Sequence, residues 1–138
     1  MQRDAAYVRA FLADCGGELT EASDEDGSNP DVYWLKLRPK ATTESFFVRI
    51  GWERYPGSPP SVLFADSIGG STTIKTAWPV VPGYRAGVDI CSPFTKEGYI
   101  THPEWVAQYP WPTTGNPFLW VAEILQGDLG RRYGGRAA

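Results

Sequence analysis

The chain has 138 residues, of which 42% are hydrophobic and 14% aromatic, and it carries a formal net charge of −3. A chain of this length and composition is expected to form one domain with its own core, and global disorder is excluded. The acidic balance, with a pI near 5.1, disfavours nucleic-acid binding, which needs clustered Lys and Arg.

The N-terminus opens a charged amphipathic stretch, and no apolar run approaches the roughly eighteen residues of a membrane span. We therefore expect a soluble, cytoplasmic protein with no membrane partner. Because cytosolic thiols are kept reduced, Cys15 and Cys91 are both expected to be free.

The first predicted element is a helix over residues 4–15, followed by Gly16, which can take the left-handed conformation that ends a helix. Its apolar positions at helical spacing are Val8, Phe11, Leu12 and Cys15. The acidic residues 21–26 and the turn formers 27–30 are then expected to form a solvated loop.

Three strands are predicted next, over residues 32–38, 45–52 and 61–64. In the second, alternate apolar side chains lie on one face, namely Phe46, Val48, Ile50 and Trp52. Frequent Gly and Pro over residues 65–111 predict a mostly ordered loop, and a loop of that length in a compact domain is usually functional.

A last helix is predicted over residues 117–126, with Asn116 as N-cap, Pro117 at the first position and Gly127 after the last turn. The tail beyond about residue 127 lacks periodicity and is expected to fray. The predicted fold class is α+β: an N-terminal helix, an antiparallel meander of three to four strands, a long loop region and a C-terminal helix within one domain, residues 1–138.

Residues 55–64 read Tyr-Pro-Gly-Ser-Pro-Pro-Ser-Val-Leu-Phe, and their prolines fix a rigid path that donates few amides to a ladder. This segment, after a helix and two strands, resembles the ubiquitin-conjugating enzymes. Ile90-Cys91 resembles the step that bears the acceptor cysteine of that family, and Trp111-Pro112 with the helix after it resembles the elements beneath its active site.

Two departures accompany the resemblance. The family's His-Pro-Asn, whose Asn supports the oxyanion, has no counterpart between Phe64 and Cys91, and His102-Pro103 follows the cysteine and continues with Glu104. The gap from Cys91 to Trp111 is also longer than the family usually shows. In lacking the tripeptide, the chain is similar to divergent conjugating enzymes, including UBC-like proteins encoded beside ubiquitin-like modifiers in bacteria.

The resemblance implies that Cys91 accepts a ubiquitin-like protein as a thioester from an activating enzyme and passes it to an amine or hydroxyl of a protein target. A thiolate suits this transfer because it is both a nucleophile and a leaving group, and no cofactor or metal is needed. The oxyanion needs a donor. The candidates are backbone amides near Cys91 and the side chains of Arg85, His102 and Asn116.

Other interpretations of these residues stay open. Asp89 or Glu104 is a candidate to orient an acceptor amine, and each is also a plausible surface charge. Cys91 with His102 has the composition of a thiol-protease dyad, although no protease signature surrounds them. Two cysteines and one histidine make a poor metal site, and Cys15 is assigned no chemistry.

The main alternative function is a catalytically inactive UBC-like or RWD-like module that binds proteins on the same architecture. A weaker one is a structural partner that docks another subunit through aromatics such as Trp105, Tyr109 and Trp111. Loss of His-Pro-Asn favours the inactive module, and retention of the Ile-Cys step favours the enzyme.

Overall fold

The computed structural model describes residues 1–22 and 31–138. These residues form four helices and six strands, with a 3₁₀ turn at Lys75–Ala77. The helices are α1 Gln2–Asp14, α2 Lys96–Thr101, α3 Trp105–Gln108 and α4 Pro117–Arg131. The strands are β1 Glu18–Ala22, β2 Val32–Leu37, β3 Phe46–Gly51, β4 Ser61–Ala65, β5 Tyr84–Arg85 and β6 Asp89–Ile90.

The first four strands form one antiparallel sheet in the order β1-β2-β3-β4, and β5 and β6 form a separate antiparallel hairpin. Alternate residues of β2, β3 and β4 point into the main core, where Leu35, Val48 and Phe64 are fully buried. α1 and α4 pack against one another and contribute Leu12 and Leu125 to the same core. The predicted α+β class and the antiparallel meander are therefore confirmed.

The predicted elements differ from the structure mainly at their ends. α1 begins at Gln2 and ends at Asp14. Gly16, which follows it, takes the predicted left-handed conformation with a φ of +75°. Glu21, predicted to lie in a loop, instead pairs with Tyr33 as part of β1. The rest of the predicted acidic loop, residues 23–30, lies outside the described residues.

The predicted end of the last helix is wrong. α4 starts as expected, with Asn116 Oδ1 accepting a hydrogen bond of 2.9 Å from the Leu119 amide, but it runs through Gly127 to Arg131. The residues after the helix, where fraying was predicted, make contacts with the rest of the fold. Arg136 forms a β-bridge with Pro79, and its guanidinium lies 4.2 Å from the centroid of the Phe46 ring.

Residues 65–111 form the mostly irregular region that was predicted, with the β5–β6 hairpin, α2 and α3 as short elements inside it. Within the described ranges, no helix is both long and apolar enough to cross a membrane.

An aromatic cluster joins the end of β3 to α4 and to the proline segment. Trp52 is buried, and its ring centroid lies 4.7 Å from that of Tyr55, 5.5 Å from Phe118 and 6.1 Å from Trp111. The Tyr55 hydroxyl donates to the Asp4 carboxylate at the start of α1. Burial, together with this bond to Asp4, raises the pKa of Tyr55, so the phenol stays a hydrogen-bond donor.

We expect Trp52→Ala to lower the free energy of unfolding by about 3–5 kcal/mol, the range for removing a buried aromatic ring. Trp52→Phe keeps a ring in the cluster and should lose less. Trp120→Ala is the control, because Trp120 also contacts Trp111 but is 38% exposed. Urea unfolding measures all three, and equal losses for Trp52→Ala and Trp120→Ala would contradict the central place of Trp52.

Candidate active site

Cys91 lies directly after β6, at the point where the β5–β6 hairpin leaves its ladder. The Cys91 amide donates a hydrogen bond of 2.8 Å to the Gly83 carbonyl, which extends the pairing of Tyr84 with Ile90 and of Arg85 with Asp89 by one step. Cys91 is a free thiol and is half-buried. The sulfur-bearing residue is thus held by backbone bonds and is not sealed in the core.

The hairpin has one buried and one open face. Tyr84 and Ile90 point inwards, where Ile90 is fully buried and the Tyr84 hydroxyl donates a 2.8 Å hydrogen bond to Asp128. Because side chains alternate along a strand, Arg85, Asp89 and Cys91 share the other face. Directly opposite Cys91 stands a glycine, so no cross-strand side chain covers the thiol.

That glycine, Gly83, is required by its conformation and by its surroundings. Its φ is +89°, which disfavours any residue with a Cβ. An added Cβ would lie 3.2 Å from both the Cys91 carbonyl oxygen and the Ser92 Oγ. The turn before the hairpin therefore approaches the cysteine closely.

Thr95 fixes the turn between Cys91 and α2. It is fully buried, and its hydroxyl donates a 2.6 Å hydrogen bond to the Ile90 carbonyl. The same oxygen accepts a 2.9 Å bond from the Gly98 amide and so caps α2. Gly98 packs on the peptide after the cysteine, since an added Cβ would lie 2.1 Å from the Ser92 carbonyl oxygen.

α2 in turn is attached to the edge strand β4. The Lys96 amide donates a 2.7 Å hydrogen bond to the Pro60 carbonyl, and the Glu97 carboxylate accepts one of 3.0 Å from the Val62 amide. Burial raises the pKa of Glu97, although the bonds it accepts from Val62 and Ser61 act in the opposite direction. The proline segment and the cysteine are therefore connected through α2.

The chain between α2 and α4 folds back on itself. The Tyr99 hydroxyl donates to the Pro93 carbonyl at 3.1 Å and also contacts the Tyr109 carbonyl. Tyr109 and Trp120 line an apolar pocket of about 200 Å³ together with Pro93 and Phe94, which closely follow the cysteine.

His102 lies at the far end of α2 from Cys91. A helix of 6 residues is about 9 Å long, and Thr95 holds its other end against the cysteine turn. The His102 Nδ1 is 3.0 Å from a Glu104 carboxylate oxygen, and the ring stacks on Trp105 with centroids 4.2 Å apart. Among residues 1–22 and 31–138, no hydrogen bond joins His102 to Cys91, so the structure does not bring the proposed dyad together.

The side chain of Asn116 makes two structural hydrogen bonds at the start of α4. Besides capping α4, its amide nitrogen donates a 3.2 Å hydrogen bond to the Asp4 carbonyl. Arg85, by contrast, forms a bidentate ion pair with Asp89, two residues before Cys91. The Nε–Oδ1 and Nη2–Oδ2 distances are both 2.6 Å. Glu104 lies with His102, away from the thiol.

Cys15 lies apart from this site, beside a groove of about 870 Å³ between the end of α1, the β2–β3 loop and α4. Burial, and after it the charge of Asp14, raises the pKa of the Cys15 thiol, although Lys40 acts in the opposite direction. A thiol held protonated is a poor nucleophile. In the described part of the chain, no three His, Cys, Asp or Glu side chains converge to hold a metal ion.

No protein-family model, curated protein or solved structure matches this chain.

Sequence reasoning missed three residues that shape the site: Gly83, Thr95 and Gly98. For Thr95 a signal exists, since a threonine two residues before an acidic side chain is typical of a helix start. The two glycines carry no such signal, because their role depends on which backbone they approach.

Thr95→Val should lower the free energy of unfolding by about 2–3 kcal/mol, because the Gly98 amide and the Ile90 carbonyl lose a buried partner. Thr95→Ser keeps both hydrogen bonds and should lose much less. Urea unfolding distinguishes the two variants. Equal stability of the valine and serine variants would show that the hydroxyl does not hold the turn.

Glu97→Gln tests the buried carboxylate, since the amide oxygen can still accept from Val62. The raised pKa means that the folded state binds the Glu97 proton more tightly than the unfolded state does. Wild type should therefore gain stability relative to Glu97→Gln as the pH falls from 7, and the gain should level off below the ordinary carboxyl pKa of 4.5.

Glu104→Gln is the control for that titration. The pKa of Glu104 is lowered, first by its own backbone amide and then by a hydrogen bond from His102. Its contribution to stability is present above the unfolded-state pKa and is lost as the pH falls through the folded-state pKa. A pH dependence of the same sign for both glutamates, measured by urea unfolding, would contradict the assignment for Glu97.

Proposed function

We propose that this chain is a divergent conjugating enzyme of the ubiquitin-conjugating type, which accepts a ubiquitin-like protein on Cys91 as a thioester and transfers it to an amine or hydroxyl of a target. The observation that carries the proposal is the position of Cys91. This residue is half-buried, lies at the end of the β5–β6 hairpin, and has the glycine Gly83 opposite it. This residue is held in position by the backbone and keeps part of its surface exposed.

The contacts between the three resembling segments support the same function. The Trp111 indole donates a 2.9 Å hydrogen bond to the Pro56 carbonyl, and the Lys96 amide binds the Pro60 carbonyl. Residues 55–64 thus contact both the start of α2, which follows the cysteine, and the chain before α4. This is the arrangement expected if the Ile-Cys step and the proline segment belong to one UBC-like active site.

The proposed loading step is an exchange of thioesters. The Cys91 thiolate attacks the carbonyl carbon of the modifier's thioester on the activating enzyme, a new C–S bond forms, and the enzyme's cysteine leaves as a thiolate. One thioester replaces another, so the step is nearly neutral in energy and draws on no cofactor. The partners are the activating enzyme, the modifier and the target, and a cytoplasmic location belongs to the same proposal.

A non-catalytic binding module is the second candidate. It is favoured by the apolar pocket of about 200 Å³ lined by Tyr109 and Trp120, whose side chains are 55% and 38% exposed. A protein-binding role through this surface needs no working thiol.

The experiment combines the purified chain with an activating enzyme from its source organism, the modifier of that enzyme and ATP. Wild type should form an adduct on a gel that thiol reductants remove. Cys91→Ala should abolish this adduct, whereas Cys15→Ala, the matched control, should retain it. Cys91→Ser should trap an ester that reductants do not remove.

Two outcomes would contradict the enzyme. Binding of modifier by wild type without any adduct would favour the binding module. An adduct that persists in Cys91→Ala and disappears in Cys15→Ala would place the chemistry in the groove beside α1.

A further inference from the structure

We propose that Arg85 is the catalytic hydrogen-bond donor that stabilises the oxyanion at Cys91, and that Asp89 is the positioning residue that aims it. The inference rests on the proposed thioester function and supplies the group that the missing His-Pro-Asn leaves unassigned.

The hairpin places Arg85 beside the thiol. Arg85 of β5 pairs directly with Asp89 of β6. Cys91 follows Asp89 by two residues, so its side chain lies on the same face of the hairpin as those of Arg85 and Asp89. Diagonal neighbours of this kind are about 7–8 Å apart, a span that a long side chain crosses easily. Since Gly83 is opposite Cys91, the cross-strand position next to the thiol carries no side chain.

The ion pair fixes the direction of the guanidinium. Nε and Nη2 bind the two oxygens of Asp89, both at 2.6 Å, which leaves the two N–H groups of Nη1 and the second N–H of Nη2 as donors. In residues 1–22 and 31–138, Nη1 has no hydrogen-bond partner. The Asp89 side chain is 14% exposed and that of Arg85 is 51% exposed, so the carboxylate is largely shielded while the arginine side chain reaches solvent.

Electrostatics agree with this placement. Asp89 raises the pKa of Arg85, first through its hydrogen bonds and then through its charge, and a thiolate at Cys91 would act in the same direction. The guanidinium and the sulfur are therefore within electrostatic reach of one another.

Most of the other candidate donors have partners of their own. The Cys91 amide binds the Gly83 carbonyl. The Ser92 peptide is closely packed against Gly98, whose added Cβ would lie 2.8 Å from the Ser92 nitrogen. Asn116 is bound to Leu119 and Asp4, and His102 is at the far end of α2.

The step that Arg85 assists is the discharge of the thioester. The acceptor amine attacks the carbonyl carbon, a C–N bond forms, and the π electron pair moves onto the oxygen, which Nη1 stabilises. The intermediate then collapses, the C–S bond breaks with its electron pair on the Cys91 sulfur, and the amine proton passes to solvent.

A chemical assay separates this inference from the identity of the natural partners. A Gly-Gly peptide thioester of 2-mercaptoethanesulfonate acylates Cys91 in a Cys15→Ala background, and mass spectrometry follows discharge to hydroxylamine. We expect Arg85→Ala to slow discharge by about tenfold to a hundredfold, below the full range for an enclosed oxyanion hole because Arg85 is exposed. Added guanidinium ion at millimolar concentration should restore part of the rate.

Arg131→Ala is the control, because Arg131 is an exposed arginine in the last turn of α4 that lines the groove beside Cys15 and not the site at Cys91. It should discharge at the wild-type rate. Asp89→Asn should slow discharge less than Arg85→Ala does. The double variant should be no slower than Arg85→Ala alone, since Asp89 acts through Arg85.

The outcomes distinguish the two proposals. If Cys91 is acylated and Arg85→Ala discharges at the wild-type rate, the role of Arg85 is overturned and the thioester function stands. A slow Arg85→Ala that guanidinium does not rescue, with a lowered melting temperature, assigns Arg85 a structural role and also overturns the inference. If the peptide thioester never acylates Cys91 in wild type, the proposed function falls and the inference falls with it.

Discussion

The burial of Trp52 among Tyr55, Trp111 and Phe118 is the interaction on which the rest of this structure depends. Burying 150–250 Å² of an aromatic ring stabilises by about 4–6 kcal/mol at about 25 cal/mol per Å². Within the described residues the Trp52 indole nitrogen has no hydrogen-bond partner, which costs about 1–3 kcal/mol. The apolar gain exceeds that cost, so the cluster holds the sheet, the proline segment and α4 together.

From this cluster, a series of backbone bonds leads to the thiol. The proline segment ends at Pro60, whose carbonyl receives the Lys96 amide at the start of α2. Thr95 then ties the start of α2 to the Ile90 carbonyl, one residue before Cys91. Because each contact uses a main-chain group, the position of the cysteine depends on backbone geometry more than on the identity of exposed side chains.

The sequence predicted the elements whose burial repeats at a regular spacing, namely α1, β2, β3, β4 and the start of α4. It missed β1, where Leu19 is the one buried side chain and pairing with β2 depends on main-chain bonds. It ended α4 too early because Gly127 looks like a stop, whereas burial of Leu129 against the core carries the helix further. At the site, Cys91 was predicted as the thiol, and the helix-start signal at Thr95 was available but not used. Gly83 and Gly98 could not be predicted, because their role depends on a close approach of backbone that sequence spacing does not encode.

The two cysteines show why the larger cavity is not the better candidate site. Cys15 borders the groove of about 870 Å³, yet burial and the charge of Asp14 hold its thiol in the protonated form. Cys91 lines neither that groove nor the smaller apolar pocket. A residue that receives an acyl chain from one protein and gives it to another has to meet two macromolecules in turn. Such a residue needs an open face with a fixed donor beside it, which is the part proposed for the hairpin at Cys91 and Arg85, and an enclosed cavity would hinder both encounters.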